Sequence, residues 1–187
     1  MTALPPGSTV AVIGAGAMGA GIAQIAALNG HRVQLHDTRF GAGDAAKKGI
    51  AETLDKLVAK GRLARADADA AGGRIATVVA LPDVCVAQLV IEAIVEDLGA
   101  KRELLQRIEN VVTSECILAS NTSSISITAL GAGMKHPGRV VGMHFFNPAP
   151  LLPLVEIVSG LATSASVAGA TLVTALAGGK TPDYALS

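Results

Sequence analysis

The chain has 187 residues, half of them hydrophobic and 16% charged, with 15 basic side chains balancing 15 acidic ones. That excludes a disordered tail, a coiled coil and a basic nucleic-acid arm, and the length suits one domain with a substantial core. Trp is absent and aromatic residues are few, so no base-stacking platform is available; Cys85 and Cys116 lie far apart with no CxxC or His-rich tract, which gives no metal site and fits reduced thiols in a cytoplasm.

Met1 to Gly7 hold no basic region followed by an apolar one, so no secretory signal is expected. Thr9 to Ile13 reads as a buried strand, followed at once by glycines and a helix with Met18, Ile22, Ile25 and Ala26 at helical spacing. Arg32 to His36 is a second strand. From about Asp44 to Lys60, Ile50, Leu54, Leu57 and Val58 share one helical face, and Gly61 to Gly73 reads as a polar loop. Ile75 to Leu81 and Leu89 to Val95 are strands three and four. A helix from Ala100 to Val112 carries Leu104, Leu105, Ile108, Val111 and Val112 on one side.

Cys116 to Ser120 and Arg139 to His144 supply strands five and six. Two prolines in Asn147-Pro148-Ala149-Pro150 forbid a helix and favour a turn, so Pro153 to Ser159 is expected to return antiparallel. A helix from about Ser164 to Ala177 follows, and no further element is expected after Gly178-Gly179-Lys180-Thr181-Pro182. The stretch between Glu156 and Lys180 is uncharged and exceeds the roughly 20 residues that span a bilayer. Its Gly, Ala, Ser and Thr content makes its transfer into lipid poor, so no membrane span is expected.

Strands alternating with helices, each strand nearly continuous in apolar residues, define an α/β class with a parallel sheet covered on both faces. The expected architecture is a doubly wound, mostly parallel Rossmann-type sheet with a final antiparallel strand, residues 1–187 forming one domain.

Gly14-Ala15-Gly16-Ala17-Met18-Gly19 is a GxGxxG placed between a strand and a helix. The first glycine permits the tight turn, the second lets backbone approach a pyrophosphate, and the third allows close helix–strand packing. The helix N-terminus offers free N–H groups and a positive dipole end to the phosphates, so Gly14, Gly16, Ala17, Met18 and Gly19 are candidate cofactor contacts. Asp37 ends the second strand, 18 residues past Gly19, where its carboxylate can accept from an adenosine ribose and repel a 2′-phosphate. This favours NAD over NADP. Arg39, two positions on, is able to meet a phosphate, or is simply solvated.

Ser120-Asn121-Thr122-Ser123-Ser124 ends strand five, at the rim where ligands lie in open α/β sheets. Ser124 or Ser126 caps the following helix, while Asn121 and Ser123 are candidates to face the crevice. Strand six delivers His144-Phe145-Phe146-Asn147-Pro148 to the same rim. If the chain reverses about Ala149, residue 144 lies opposite 154 and Glu156 is its diagonal neighbour, within reach of long side chains. A carboxylate on one imidazole nitrogen fixes the tautomer and leaves the other nitrogen to exchange a proton with substrate.

These residues resemble the L-3-hydroxyacyl-CoA dehydrogenases, including the 3-hydroxybutyryl-CoA dehydrogenases. The likeness is carried by Val12 to Ala23, by Glu92-Ala93-Ile94-Val95-Glu96, by Ser120 to Ser124 and by His144 to Pro148, and it extends to about Lys180. The resemblance implies that Asp37 contacts the adenosine ribose and that Ala93, Glu96 and Lys101 surround the nicotinamide half. It implies that Ser123 bonds the substrate oxygen and that Asn147 lies near the cofactor. By the same resemblance His144 is the catalytic acid/base and Glu156 its orienting carboxylate.

Members of that family carry a second, helical domain that builds a homodimer and contains a Pro-Gly-Phe-x-x-Asn-Arg segment. Gly179-Lys180-Thr181-Pro182 resembles the approach to it, but Asp183-Tyr184-Ala185-Leu186-Ser187 departs from it, so the chain reads as an isolated cofactor domain. The expected activity is NAD-dependent oxidation of an L-3-hydroxyacyl-CoA, or the reverse. Two alternatives stand beside it: a dinucleotide-binding module without activity, and a related dehydrogenase of a hydroxy acid that is not a CoA ester.

Overall fold

The structure is a computed structural model and describes residues 2–187. β1 (Thr9–Ile13) leads through the glycine turn into α1 (Ala17–Leu28), then β2 (Arg32–His36) and α2 (Ala42–Ala59). There follow α3 (Arg65–Gly73), β3 (Ile75–Val78), a short 3₁₀ turn, β4 (Leu89–Glu92) and α4 (Leu98–Glu109). The second half runs β5 (Ile117–Ser120), α5 (Ile127–Gly131), β6 (Val140–Phe145), β7 (Leu154–Ser159), α6 (Ala165–Ala177) and β8 (Thr181–Leu186).

The strands form one sheet in the order β3-β2-β1-β4-β5-β6-β7-β8, in which only the β6–β7 pair is antiparallel. The chain therefore winds outward from β1 in one direction, then restarts at β4 on its other side. That reversal opens a crevice at the carboxyl ends of β1 and β4, the ligand-binding position of doubly wound sheets.

Alternation along β1 explains the two-sided core. Val10 and Val12 face a cluster with Ile22, Ala23 and Ala27 of α1 and Ile50 and Leu54 of α2. Ala11 and Ile13 face the other cluster, with Leu105 and Ile108 of α4 and Leu130 of α5. All five residues of β1 are buried, as a central parallel strand requires.

Several expectations need correction. Residues 61–73 are not one loop: Arg65 to Gly73 forms α3, whose buried face consists only of Ala68 and Ala71. Two alanines in an Asp- and Gly-bearing segment give too faint an apolar stripe to read from periodicity. β3 stops at Val78 and β4 at Glu92, short of Leu81 and Val95, because Leu81 begins a 3₁₀ turn and Val95 is exposed beyond the sheet. The tail is not featureless either. β8 pairs in parallel with β7 through six residues, Leu154↔Thr181 to Ser159↔Leu186, and is nearly all exposed.

Among the described residues no helix is long and apolar enough to cross a membrane. The uncharged stretch is divided between the end of β7 and α6, and it packs through Ala168, Thr171 and Ala175.

Candidate active site

The glycine turn has the shape its sequence calls for. Gly14 sits at φ +106°, and a Cβ there would come within 2.5 Å of the Ala93 carbonyl oxygen. A Cβ on Gly19 would lie 1.7 Å from the Gly14 carbonyl oxygen. Gly16 is different: it is exposed, and a Cβ would meet nothing within 4 Å. Gly14 and Gly19 are therefore demanded by packing, whereas the room above Gly16 faces the crevice. α1 begins at Ala17 behind Gly16, an N-cap with no side chain to offer, leaving its first N–H groups free for phosphate oxygens, and Ala17 and Met18 open its first turn. Gly21, further along, lets α1 approach Pro150 and Ala149 of the β6–β7 turn.

Asp37 follows β2 at the same rim. Its carboxylate accepts from the Ala15 backbone N–H at 2.8 Å, which ties it to the glycine turn, and from Arg39. The Arg39 guanidinium, together with the Ala15 and Arg39 N–H groups, outweighs burial and holds the carboxyl at about 2. It therefore stays ionised and able to accept hydrogen bonds. A cavity of about 500 Å³ opens beside it, lined by Gly14, Gly16, Asp37, Ile94, Leu104 and Arg107 among others. A second, mainly apolar hollow of about 610 Å³ lies on the other side of the turn, against α1, α2 and the 148–151 segment.

Across the crevice the ends of β4 and β5 are locked by a buried charge network. Lys101 donates to Glu92 Oε1 at 2.6 Å, with side chains only 1% and 0% exposed, and lies 3.3 Å from Glu96 Oε2. Glu92 also accepts from the Ile94 N–H at 2.7 Å and from the Ser120 hydroxyl at 2.6 Å. Glu96 accepts from the hydroxyls of Thr122 and Ser124 and from the Ser123 N–H. Burial pushes the Glu96 carboxyl up, but the Thr122 hydroxyl, the Lys101 charge and the Ser123 N–H outweigh it and leave it below the usual range. The helix carrying Lys101 is capped by Asp97, whose side chain accepts from the Ala100 N–H at 2.8 Å.

His144 and Glu156 stand directly opposite each other in the β6–β7 pair, with Nδ1 2.7 Å from Oε2. The diagonal relation expected from a reversal about Ala149 is thus replaced by a direct one, because the turn centres one residue later, on Pro150. The 148–152 segment that sets this register is held by Lys180, which donates to the Ala149 and Leu152 carbonyls at 2.6 and 2.7 Å. The His144 ring also tilts against Phe146, centroids 4.5 Å apart. Asn121 is joined to this end of the sheet by accepting from the Phe145 N–H at 2.9 Å.

The structure therefore brings the candidates together in two groups at one rim. Gly14, Gly16, Ala17, Met18, Gly19, Asp37 and Ala93 form the first. Glu96, Lys101, Asn121, Ser123, His144 and Glu156 form the second. Ser123 and Asn147 are exposed, and Asn147 makes no side-chain hydrogen bond among the described residues. Lys101 is not solvent-facing, as a first-turn helix lysine ordinarily is, but sealed in its ion pair. Glu92 and Thr122 were not singled out from sequence as site residues. The available signal was a carboxylate ending the apolar strand Leu-Val-Ile-Glu, nine residues before a lysine of opposite charge. No group of three or more potential metal ligands occurs among the described residues.

A doubly wound sheet with an uncapped glycine turn at its switch point and an ionised carboxylate ending β2 defines a dinucleotide-binding domain of Rossmann type. The family described as 3-hydroxyacyl-CoA dehydrogenase, NAD binding domain, matches residues 9–184, and the chain belongs to it. Over 174 residues, 93% of this chain, it is 45% identical to a 3-hydroxyadipyl-CoA dehydrogenase of Escherichia coli K12, covering 37% of that protein. It is 46% identical over 171 residues to a probable 3-hydroxybutyryl-CoA dehydrogenase of Deinococcus radiodurans, covering 91% of this chain and 61% of that one. Among solved structures, a 3-hydroxybutyryl-CoA dehydrogenase from Escherichia coli K12 superposes with TM-score 0.95 at 44% identity, covering 98% of this chain and 39% of its own. The (S)-3-hydroxybutyryl-CoA dehydrogenase of Ralstonia eutropha gives 0.93 at 39% identity, covering 96% and 63%. The chain thus spans between about a third and two thirds of the length of these relatives.

Proposed function

We propose that the chain is the cofactor domain of an NAD-dependent dehydrogenase that interconverts an L-3-hydroxyacyl-CoA and its 3-oxo form. The observation that carries this reading is the His144–Glu156 pair at the rim that also bears the glycine turn. The two lie three strands apart, about 14 Å at roughly 4.8 Å per strand. The fit to the dinucleotide rests on the open space at Gly16, the uncapped start of α1 and the ionised Asp37.

When bound, NAD supplies a hydride acceptor at its nicotinamide ring. Gly16, Ala17 and Met18 would hold its pyrophosphate and Asp37 its adenosine ribose, with Ala93, Glu96, Lys101, Asn121 and Asn147 towards the nicotinamide half. Glu156 accepts a hydrogen bond from the His144 Nδ1–H, fixing the tautomer that leaves Nε2 unprotonated and able to take the substrate hydroxyl proton. In the reverse direction the imidazolium returns that proton to the forming hydroxyl, and Glu156 stabilises its charge. Ser123 adds a hydrogen bond to the same oxygen.

A CoA ester as substrate is supported by the names of the relatives at 45% and 46% identity. We further infer homodimerisation through the helical region of the whole protein, and a reducing, cytoplasmic setting consistent with two free thiols. The test is oxidation of NADH with acetoacetyl-CoA, measured on the whole protein and on this 187-residue chain. Turnover by the whole protein that falls by about 10²–10⁴ in His144→Gln, with NADH binding retained, is expected. Equal loss of cofactor binding overturns the assigned role. Turnover by the 187-residue chain alone removes the non-catalytic module, and indifference to CoA as a competitor removes the CoA-ester substrate.

A further inference from the structure

The Asp37 carboxylate has every acceptor position filled. Oδ1 accepts from the Arg39 backbone N–H at 2.8 Å and from Arg39 Nε at 3.1 Å. Oδ2 accepts from the Ala15 N–H at 2.8 Å and from Arg39 Nη2 at 3.1 Å. A carboxylate offers about four such positions. A ribose diol donating to Asp37 must therefore displace something, and the two backbone donors are fixed by the fold. The guanidinium is the movable one: its side chain is 70% exposed, against 8% for Asp37.

Building on the dinucleotide reading above, we propose that Arg39 tunes cofactor selectivity. It competes with the adenosine ribose for Asp37 and, once displaced, stands where a 2′-phosphate would lie. The displaced guanidinium stays tethered two residues from Asp37 at the wall of the 500 Å³ cavity, whose other charged lining side chains are Glu103 and Arg107. A phosphate matches the guanidinium fork with two parallel hydrogen bonds, while the Asp37 carboxylate repels it. Asp37 and Arg39 thus pull in opposite directions, and the preference for NAD is the difference between them.

Equilibrium binding of NADH and NADPH, followed by nicotinamide fluorescence, tests this in four proteins: wild type, Arg39→Ser, Asp37→Asn and the double variant. Asn keeps an acceptor for the Ala15 N–H, so the turn retains its tie. Arg39→Ser changes an exposed side chain, and an unchanged melting temperature checks its fold. In Arg39→Ser, NADH binding is expected to hold or tighten while NADPH binding weakens by about tenfold, one charge-assisted contact. In Asp37→Asn, NADPH binding tightens by about tenfold, a gain that shrinks in roughly 1 M salt and vanishes in the double variant. An unchanged NADH-to-NADPH ratio in Arg39→Ser, or a gain that persists in the double variant, overturns the proposal while leaving the dinucleotide reading intact. A wild type that binds neither dinucleotide takes both down.

Discussion

Lys101 and Glu92 form an ion pair closed to solvent beneath the rim of the sheet, Nζ to Oε1 at 2.6 Å. Burying two charges is costly, and the arrangement holds because the remaining carboxylate valences are met by Ile94 and Ser120. Removing one partner strands the other. Lys101→Met is expected to lower stability by about 3–5 kcal/mol in urea unfolding, and the double variant Glu92→Gln/Lys101→Met to recover most of it, since the Gln carbonyl still accepts from the Ile94 N–H while its amide nitrogen donates to the Ser120 hydroxyl oxygen. A double variant as unstable as the single one would show that packing of the lysine stem, not charge, is what matters.

The three glycines of the turn separate folding from binding. Gly16→Ala places a methyl in open space and should leave the melting temperature within about 1–2 °C of wild type while weakening NADH binding by at least about tenfold. Gly19→Ala drives a methyl into the Gly14 carbonyl and should destabilise the fold by several kcal/mol or prevent it. Calorimetry with dinucleotide titration distinguishes the two classes. Tight NADH binding by Gly16→Ala would move the phosphates elsewhere.

Glu156 acts through His144. Glu156→Gln, in the whole protein, should cut turnover by roughly 10²-fold with NADH affinity and unfolding midpoint close to wild type, near the lower end of what a placed proton-transfer group contributes. If turnover is unaffected, Glu156 does not orient the ring during reaction.

Acid should loosen the glycine turn through Asp37. Its folded value of about 2 lies below the ordinary 3.8, so its contribution to stability is complete above the ordinary value and disappears as pH falls through about 2. The drop in urea midpoint from about pH 6 to about pH 2.5 should therefore be smaller in Asp37→Asn than in wild type. An equal drop in the two proteins would assign the acid sensitivity to other carboxylates.

The two cysteines should part company towards thiol reagents. Burial pushes the Cys116 thiol up to about 12, so it remains protonated at pH 8, whereas Cys85 is exposed. One thiol per chain should react with a disulfide reagent under native conditions and two in denaturant. Two native equivalents would mean that β5 opens readily.

What could be read from sequence follows from where the physics is local. Strand β1 announces itself by its run of β-branched and apolar residues, and the GxGxxG turn by its spacing and by the local demand at Gly19, whose neighbour is the Gly14 carbonyl, whereas the demand at Gly14 comes from Ala93 on another strand. α3 escaped because its contact with the core is two alanine methyls. β8 escaped because Thr-Pro-Asp-Tyr-Ala-Leu carries a proline and buries almost none of its side chains, so its place is set by pairing with β7. The reach between His144 and Glu156 was foreseeable; the register was not, because it depends on a turn that Lys180 holds from thirty residues away. The burial of Lys101 has no local signal, because nothing in its own helix reveals the carboxylate waiting at the end of β4.

The split of the rim between the two halves of the sheet has a thermodynamic corollary. A ligand lying along it would bolt the β1–β2 side to the β4–β6 side, and neither side alone presents the full set of contacts. Occupancy then feeds back on the persistence of the fold: at a hundredfold excess over its dissociation constant such a ligand adds about 2.7 kcal/mol by mass action. The supply of dinucleotide would then govern how long the polypeptide survives as well as how fast it works.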